Sequence, residues 1–181
     1  EYNWENERRQ KQYILPQFVP GSAEFFMMHP TLAEEKPEIA DFFERMTFLP
    51  LEKVTAMVPP GGAGIGMHVI PVEKAIPAHQ ESVSVEHISH WLNKYDQYGI
   101  GICSCRRQQT IRNEGTGDIE GEYCIGVGDM AQYLVETGKG RLATYDEVIE
   151  TLKRAERNGY VHQITNIDGE NKIFAICNCA P

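Results

Sequence analysis

The chain has 181 residues, with 41% hydrophobic and 24% charged side chains, so it can bury a core without disulfide staples. That composition excludes a disordered tail, a collagen and a coiled coil, and no stretch approaches ~18 apolar residues, so no membrane-spanning helix is expected. With 17 Lys and Arg against 26 Asp and Glu, the formal charge is −9, which on average repels a phosphate backbone.

Residues 2–14 are polar, with Trp4 and Tyr13, and read as a weak helix or an arm before the breaks at Pro16 and Pro20. A short helix is expected over Ser22–Met28, with Ser22 as its cap. Over 37–46, Ile39, Phe42, Phe43 and Met46 recur at helical spacing behind Pro37. Residues 51–58 fit helix or strand equally. The run Pro59–Gly66 lacks both the Rossmann glycine, Met67 standing in its place, and the Lys-Ser/Thr ending of a phosphate loop. It reads as a turn into a strand at 67–72.

Ser84 is expected to cap a helix at 85–98 that buries Ile88, Trp91, Leu92 and Tyr95 and stops at Gly99. His87 and His90 on it read as surface groups. A strand is expected at 100–105, then a polar, Gly-rich loop at 107–121. Asp129 caps a helix at about 130–137. Thr144 and Glu147 form a capping box for the next helix, whose buried stripe is Val148, Ile149, Leu152 and Ala155 and whose stop is Gly159. Strands at 160–165 and 172–177 follow, joined through Asp168-Gly169. The reading is α+β: helices packed on small mixed sheets, with a winged-helix-like helix–hairpin late in the chain. A soft division falls near residue 80, between an N-terminal region (1–80) and a cysteine-rich module (81–181).

The chemistry lies in the five cysteines. Cys103 and Cys105 form one C-x-C, Cys124 follows after 18 residues, and Cys177 and Cys179 form a second C-x-C after 52 more. An odd count with no secretory signal argues against a disulfide framework, and paired thiols argue for a metal or cluster site. Structural zinc favours C-x₂₋₄-C knuckles. On a flat strand, i and i+2 lie about 6.5 Å apart, whereas thiolates on one zinc lie about 3.8 Å apart. Strand-borne C-x-C pairs therefore suit a polynuclear cluster, with zinc as the alternative.

Two further functions are weighed. A cysteine nucleophile needs a hydrogen-bonded base, for which His162 is the candidate. DNA binding through the helix–hairpin needs a basic helix, yet Lys153, Arg154 and Arg157 face Glu147, Glu150 and Glu156. Arg106 and Arg107 are the only basic pair beside the cysteines. Arg106 reads either as a partial offset to thiolate charge or as a solvated surface group, and Arg141 as a partner for an acid in the last helix. Backbone N–H groups near Gly126 and Gly128 are candidate donors to sulfur.

The order Cys103-Ser104-Cys105-Arg106, Cys124, Gly140-Arg141, Asp146-Glu147-Val148, Gly159-Tyr160-Val161-His162, Asn166 and Ile176-Cys177-Asn178-Cys179 resembles a module of anaerobic bacterial iron–sulfur oxidoreductases. The likeness covers about residues 100–179. The first hundred residues share only general character, as at Leu15-Pro16, Pro20-Gly21 and Val69-Ile70-Pro71. In those proteins the module precedes a ferredoxin-type dicluster domain, in some cases with a pyridine-nucleotide-dependent flavoprotein part. The resemblance implies a [4Fe–4S] cluster on ligands drawn from Cys103, Cys105, Cys124, Cys177 and Cys179. It also implies ferredoxin-like and flavoprotein neighbours; the charge and the lack of an apolar span add the expectation of no nucleic acid or membrane partner, and the expected location is cytoplasmic. The sequence reads as a piece of a longer protein, starting at Glu1 and stopping just after the second cysteine pair. Relatives often carry another cysteine between the C-x-C-Arg motif and the counterpart of Cys124. Here residues 106–123 hold none, which leaves open which four of the five would bind.

Overall fold

The structure, a computed structural model, describes residues 2–5, 11–14, 21–45, 66–70, 87–115, 121–168 and 172–180. The expectations for Pro16 and Pro20, residues 51–58, the break at 59–65, the Ser84 cap, residues 116–120 and the turn at Gly169 lie outside them. The chain opens with two paired strands, β1 (Tyr2–Glu5) and β2 (Lys11–Ile14), with Trp4 opposite Gln12 and Asn3 opposite Tyr13. The helix-or-arm reading is thus corrected: aromatic and β-branched residues at these positions favour pairing over a solitary helix.

Three short helices follow: α1 (Gly21–Met28), α2 (Leu32–Glu35) and α3 (Glu38–Phe43). Ser22 lies inside α1 and not before it. Pro37 precedes α3 as expected, but the buried positions are Ala40 and Phe43, and Phe42 is half exposed. Met27, Ala33, Ala40 and Phe43 make a small core of their own, with Ile39 against it.

The remaining strands are β3 (Gly66–Ile70), β4 (Tyr98–Ile102), β5 (Glu122–Val127), β6 (Gly140–Ala143), β7 (Val161–Asp168) and β8 (Lys172–Cys179). They form one six-stranded sheet in the order β3-β7-β8-β5-β4-β6. Every pairing in it is antiparallel, so the sheet is not mixed. The hairpin β7–β8 is present where expected, but β3 flanks it on one side and β5 on the other. It is built into the sheet and does not project as a wing.

Between the strands lie α4 (Ile88–Leu92), α5 (Ser104–Ile111), α6 (Asp129–Glu136) and α7 (Tyr145–Arg157). One sheet face carries Ile100, Ile125, Val127, Ile164 and Ile176. It is closed by Ile88, Trp91 and Leu92 of α4 and by Val148 and Leu152 of α7. The second face is covered by α6, whose Met130 and Leu134 pack with Met28 of α1 and with Cys124. This helix sits so close that a Cβ on Gly126 would lie 2.9 Å from Leu134 Cδ1 and 3.0 Å from Met130 Cγ. A side chain at 126 would require both of these side chains to shift and would crowd the Met130 backbone at 3.2 Å, so glycine suits this close approach.

The capping box of α7 is formed as read. Glu147 N donates to Thr144 Oγ1 at 3.2 Å and Thr144 N donates to Glu147 Oε2 at 2.8 Å. Gly159 ends the helix with φ of 74°, a left-handed conformation that suits glycine. Two helices differ from expectation. The one read over 85–98 shrinks to α4, because Tyr98 and Gly99 already belong to β4. Tyr95 instead pins the turn to β8, its hydroxyl donating to Ile173 O at 2.7 Å and accepting from Ile173 N at 3.0 Å. The α6 start is set by Gly128, one residue before Asp129.

Candidate functional site

The first C-x-C does not lie on a strand. β4 ends at Ile102 after a register irregularity, Cys103 is the N-cap of α5, and Cys105 lies in its first turn. The loop expected from 107 is helical to Ile111. Arg106, Arg107, Gln108 and Gln109 are good helix formers, which explains the difference. Cys103 makes no side-chain capping bond at this N-cap.

The second C-x-C is strand-borne as expected. Val161 pairs with Cys179, His162 with Asn178 and Gln163 with Cys177. Side chains alternate along a strand, so Cys177 and Cys179 share a face and Asn178 takes the opposite one. Pairing of β5 with β8 sets Gly126 opposite Ala175 and Ile125 opposite Ile176. The pairing ends there, and its register carried one position outward sets Cys124 opposite Cys177. One step further, Asn178 Nδ2 donates to Tyr123 O at 2.7 Å. Cys124 and Cys177 are thus bracketed by contacts on both sides, on the face that α6 covers.

Asn178 ties the two motifs together. Its carbonyl accepts from Arg106 Nη2, so the residue after one C-x-C is bonded to the middle of the other. Because its Nδ2 faces Tyr123 O, its Oδ1 faces His162 Nδ1 at 2.6 Å. That fixes the tautomer with the proton on Nδ1. The other ring nitrogen, Nε2, lies 3.4 Å from Glu156 Oε1. His162 is buried, with Nδ1 committed to Asn178, on the face opposite Cys177 and Cys179, so the arrangement does not form the Cys–His pair a nucleophile needs.

Arg106 is only 6% exposed, which corrects the solvated reading. Its guanidinium stands 3.9 Å from the ring centre of Tyr160 and 4.5 Å from that of Tyr123. Those two rings meet edge to face at 5.1 Å. Nε and Nη1 of Arg106 are buried and have no hydrogen-bond partner among the described residues. Arg107 instead closes the end of α1, donating to His29 O at 3.0 Å and to Pro30 O at 2.6 Å. The two arginines therefore make no basic patch. Nor does α7 offer one: Lys153 pairs with Glu150 at 2.7 Å, and Arg154 lies over Tyr123 and donates to Glu122 O. Arg141 does pair with Glu147 at 2.9 Å, and also with Glu122 at 3.2 Å. Gly128 gives its N–H to Gln97 O, so it is not a donor to sulfur.

The thiols fall into two neighbourhoods. Cys124 is buried against Met28, Met130 and Leu134, whereas Cys105 packs beside the core of Met27, Ala33, Ala40 and Phe43. Consecutive methionines of α1 thus touch the two cysteine neighbourhoods. The surroundings on the α6 side are weakly polar: burial raises the Tyr133 hydroxyl and lowers the Lys139 ammonium, favouring the neutral form of each. None of the five cysteines is in a disulfide.

A cluster or zinc ion fits this donor set in kind, since all candidate ligands are thiols, and the backbone carries both motifs and Cys124 to one end of the sheet. Among the described residues, no group of three or more His, Cys, Asp or Glu is close enough to hold a metal ion. His87, the N-cap of α4, and His90 within it are half-buried, and His90 meets the Trp91 ring edge to face at 5.4 Å. Sequence reasoning missed Asn178, Tyr123 and Tyr160 as parts of this region. Asn178 had one available signal, its place between two cysteines on a strand. No family of known proteins matches this chain, and no curated protein or solved structure is measurably similar to it.

Proposed function

We propose that the chain is an iron–sulfur-binding, electron-transfer module of a larger anaerobic oxidoreductase, without turnover of its own. The observation that carries this reading is the Arg106–Asn178 bond, which joins the two C-x-C motifs across 72 positions. Cys124, near the start of β5, supplies a third strand-borne thiol at the same end of the sheet as Cys177 and Cys179. Arg106 Nε and Nη1, buried without a partner among the described residues, support an anionic occupant nearby, because a buried cation without a counter-charge is costly and a thiolate-bound cluster is negative. Four of the five cysteines would hold one [4Fe–4S] cluster. Ferredoxin-like and flavoprotein domains or subunits would exchange electrons with it, in the cytoplasm. No helix among the described residues is long and apolar enough to cross a membrane.

A structural zinc site with a docking or regulatory role is the second reading. It is favoured by the helical placement of Cys103 and Cys105. The wide i, i+2 spacing that argues against zinc on a flat strand does not apply to that pair. The discriminating experiment is metal and acid-labile sulfide content with a visible spectrum, on protein purified without oxygen. About four irons and four sulfides, with absorption that bleaches on reduction, support the first reading. One zinc and no colour support the second, and no metal at all defeats both.

A further inference from the structure

The β5–β8 ladder ends at Ile125 opposite Ile176, and carrying its register one position further sets Cys124 opposite Cys177. Ile125 opposite Ile176 lies on one side of them and the Asn178–Tyr123 bond on the other. Facing residues in an antiparallel pair have Cα atoms about 4.5–5.5 Å apart and side chains on one face. A disulfide takes Cα separations of about 4.4–6.8 Å. The cysteines within each C-x-C are not placed in this way. Cys177 and Cys179 sit along one strand, about 6.5 Å apart, with the backbone of Asn178 held by Arg106 between them. Cys103 and Cys105 straddle a helix start.

We propose that Cys124 and Cys177 are a redox-modification site, which an external low-molecular-weight disulfide converts to a cross-strand disulfide. Exposure sets the order of events. Cys177 is partly exposed, whereas Cys124 is buried. The Cys177 thiolate attacks one sulfur of the external disulfide, whose S–S bond breaks and releases one small thiol. The Cys124 thiolate then attacks Cys177 Sγ in the mixed disulfide and expels the second small thiol. The protein pair loses two electrons and two protons, and the external disulfide gains them as two thiols. The pairing rests on strand register alone. Its meaning as a regulatory step rests on the cluster reading, since the bond would withdraw two candidate ligands together.

The test treats the full, metal-free, reduced protein with oxidised glutathione under denaturant-free conditions, then maps non-reduced peptides by mass spectrometry. The expected product has lost two hydrogens and two titratable thiols, with the peptides of Cys124 and Cys177 joined. Cys124→Ser should trap glutathione on Cys177, and Cys177→Ser should leave position 124 unmodified and unlinked. The proposal is overturned if the main link joins Cys103 to Cys105 or Cys177 to Cys179. It is equally overturned if the thiols take up glutathione with no internal bond. Circular dichroism of each reduced variant checks that the sheet is intact. Iron and sulfide content is read on a separate anaerobic preparation, so loss of the cluster reading and loss of the disulfide are distinguishable.

Discussion

The two C-x-C motifs share a spacing and almost nothing else. Cys177-Asn178-Cys179 is extended, so its cysteines look one way while Asn178 is locked from the other by Tyr123, His162 and Arg106. Cys103-Ser104-Cys105 straddles the start of α5, where the chain turns and one thiol takes the capping position. The first motif is tied to the second by Arg106 and to the end of α1 by Arg107. Identical spacing on different backbones presents thiols in different directions, so spacing alone does not fix a ligand geometry.

The largest expected effect comes from the rigid motif. Asn178→Ala leaves the Tyr123 carbonyl and the His162 Nδ1–H unpaired in a buried place, which costs roughly 3 kcal/mol. Urea unfolding checks this, and a loss well under about 1 kcal/mol would show that water replaces the amide. Arg106→Ala removes the link itself. Lost stacking on Tyr160 and Tyr123 and the lost bond to Asn178 outweigh relief of an unpaired buried charge, for a net loss of about 2 kcal/mol. Under the cluster reading, iron content falls with it. The same unfolding curves and an iron assay read both effects.

Cys103→Asp sharpens the contrast from the other side. Asp is a strong N-cap and Cys103 makes no cap bond, so metal-free protein should gain about 0.5–1 kcal/mol while bound metal decreases. A variant that is less stable and binds normally would remove Cys103 from the ligand set. The smallest effect belongs to α7, the helix start that is fully capped. Thr144 N–H and Arg141 hold the Glu147 carboxyl below its ordinary range. A carboxyl lowered in the folded state contributes stability above its unfolded value, and that contribution is lost as pH falls through the folded one. Melting temperatures from about pH 6 to about pH 3 should therefore fall less steeply for Glu147→Gln than for the parent.

Local rules were readable wherever a few adjacent residues decide the outcome. The capping box at Thr144, the stop at Gly159 and the β7–β8 hairpin all rest on short-range chemistry and all appear. The error at 103–111 has a physical cause. Ile100 and Ile102 alternate like a strand, and carrying that period through the cysteines overlooked the helix-forming Arg and Gln that follow. The sheet order was not legible, because β3 joins through a partner nearly a hundred residues away. Burial of Arg106 was equally hidden. Its partners Tyr123, Tyr160 and Asn178 lie on three separate strands or turns, and only the assembled sheet brings them round one guanidinium.

The place of β8 in the sheet has a consequence for how the protein is made. Strands β4, β5 and β6 can pair as soon as residue 143 is synthesised, and β3 can pair with β7 some twenty-five residues later. Only β8, later in the chain than every other strand, lies between those two groups and joins them. Until β8 pairs, the two halves are separate sheets with open edges, and joining β8 to β5 brings together residues about fifty positions apart. Cys177 and Cys179 arrive on the strand that closes the sheet, so a site drawing on both C-x-C motifs assembles in the last step of folding.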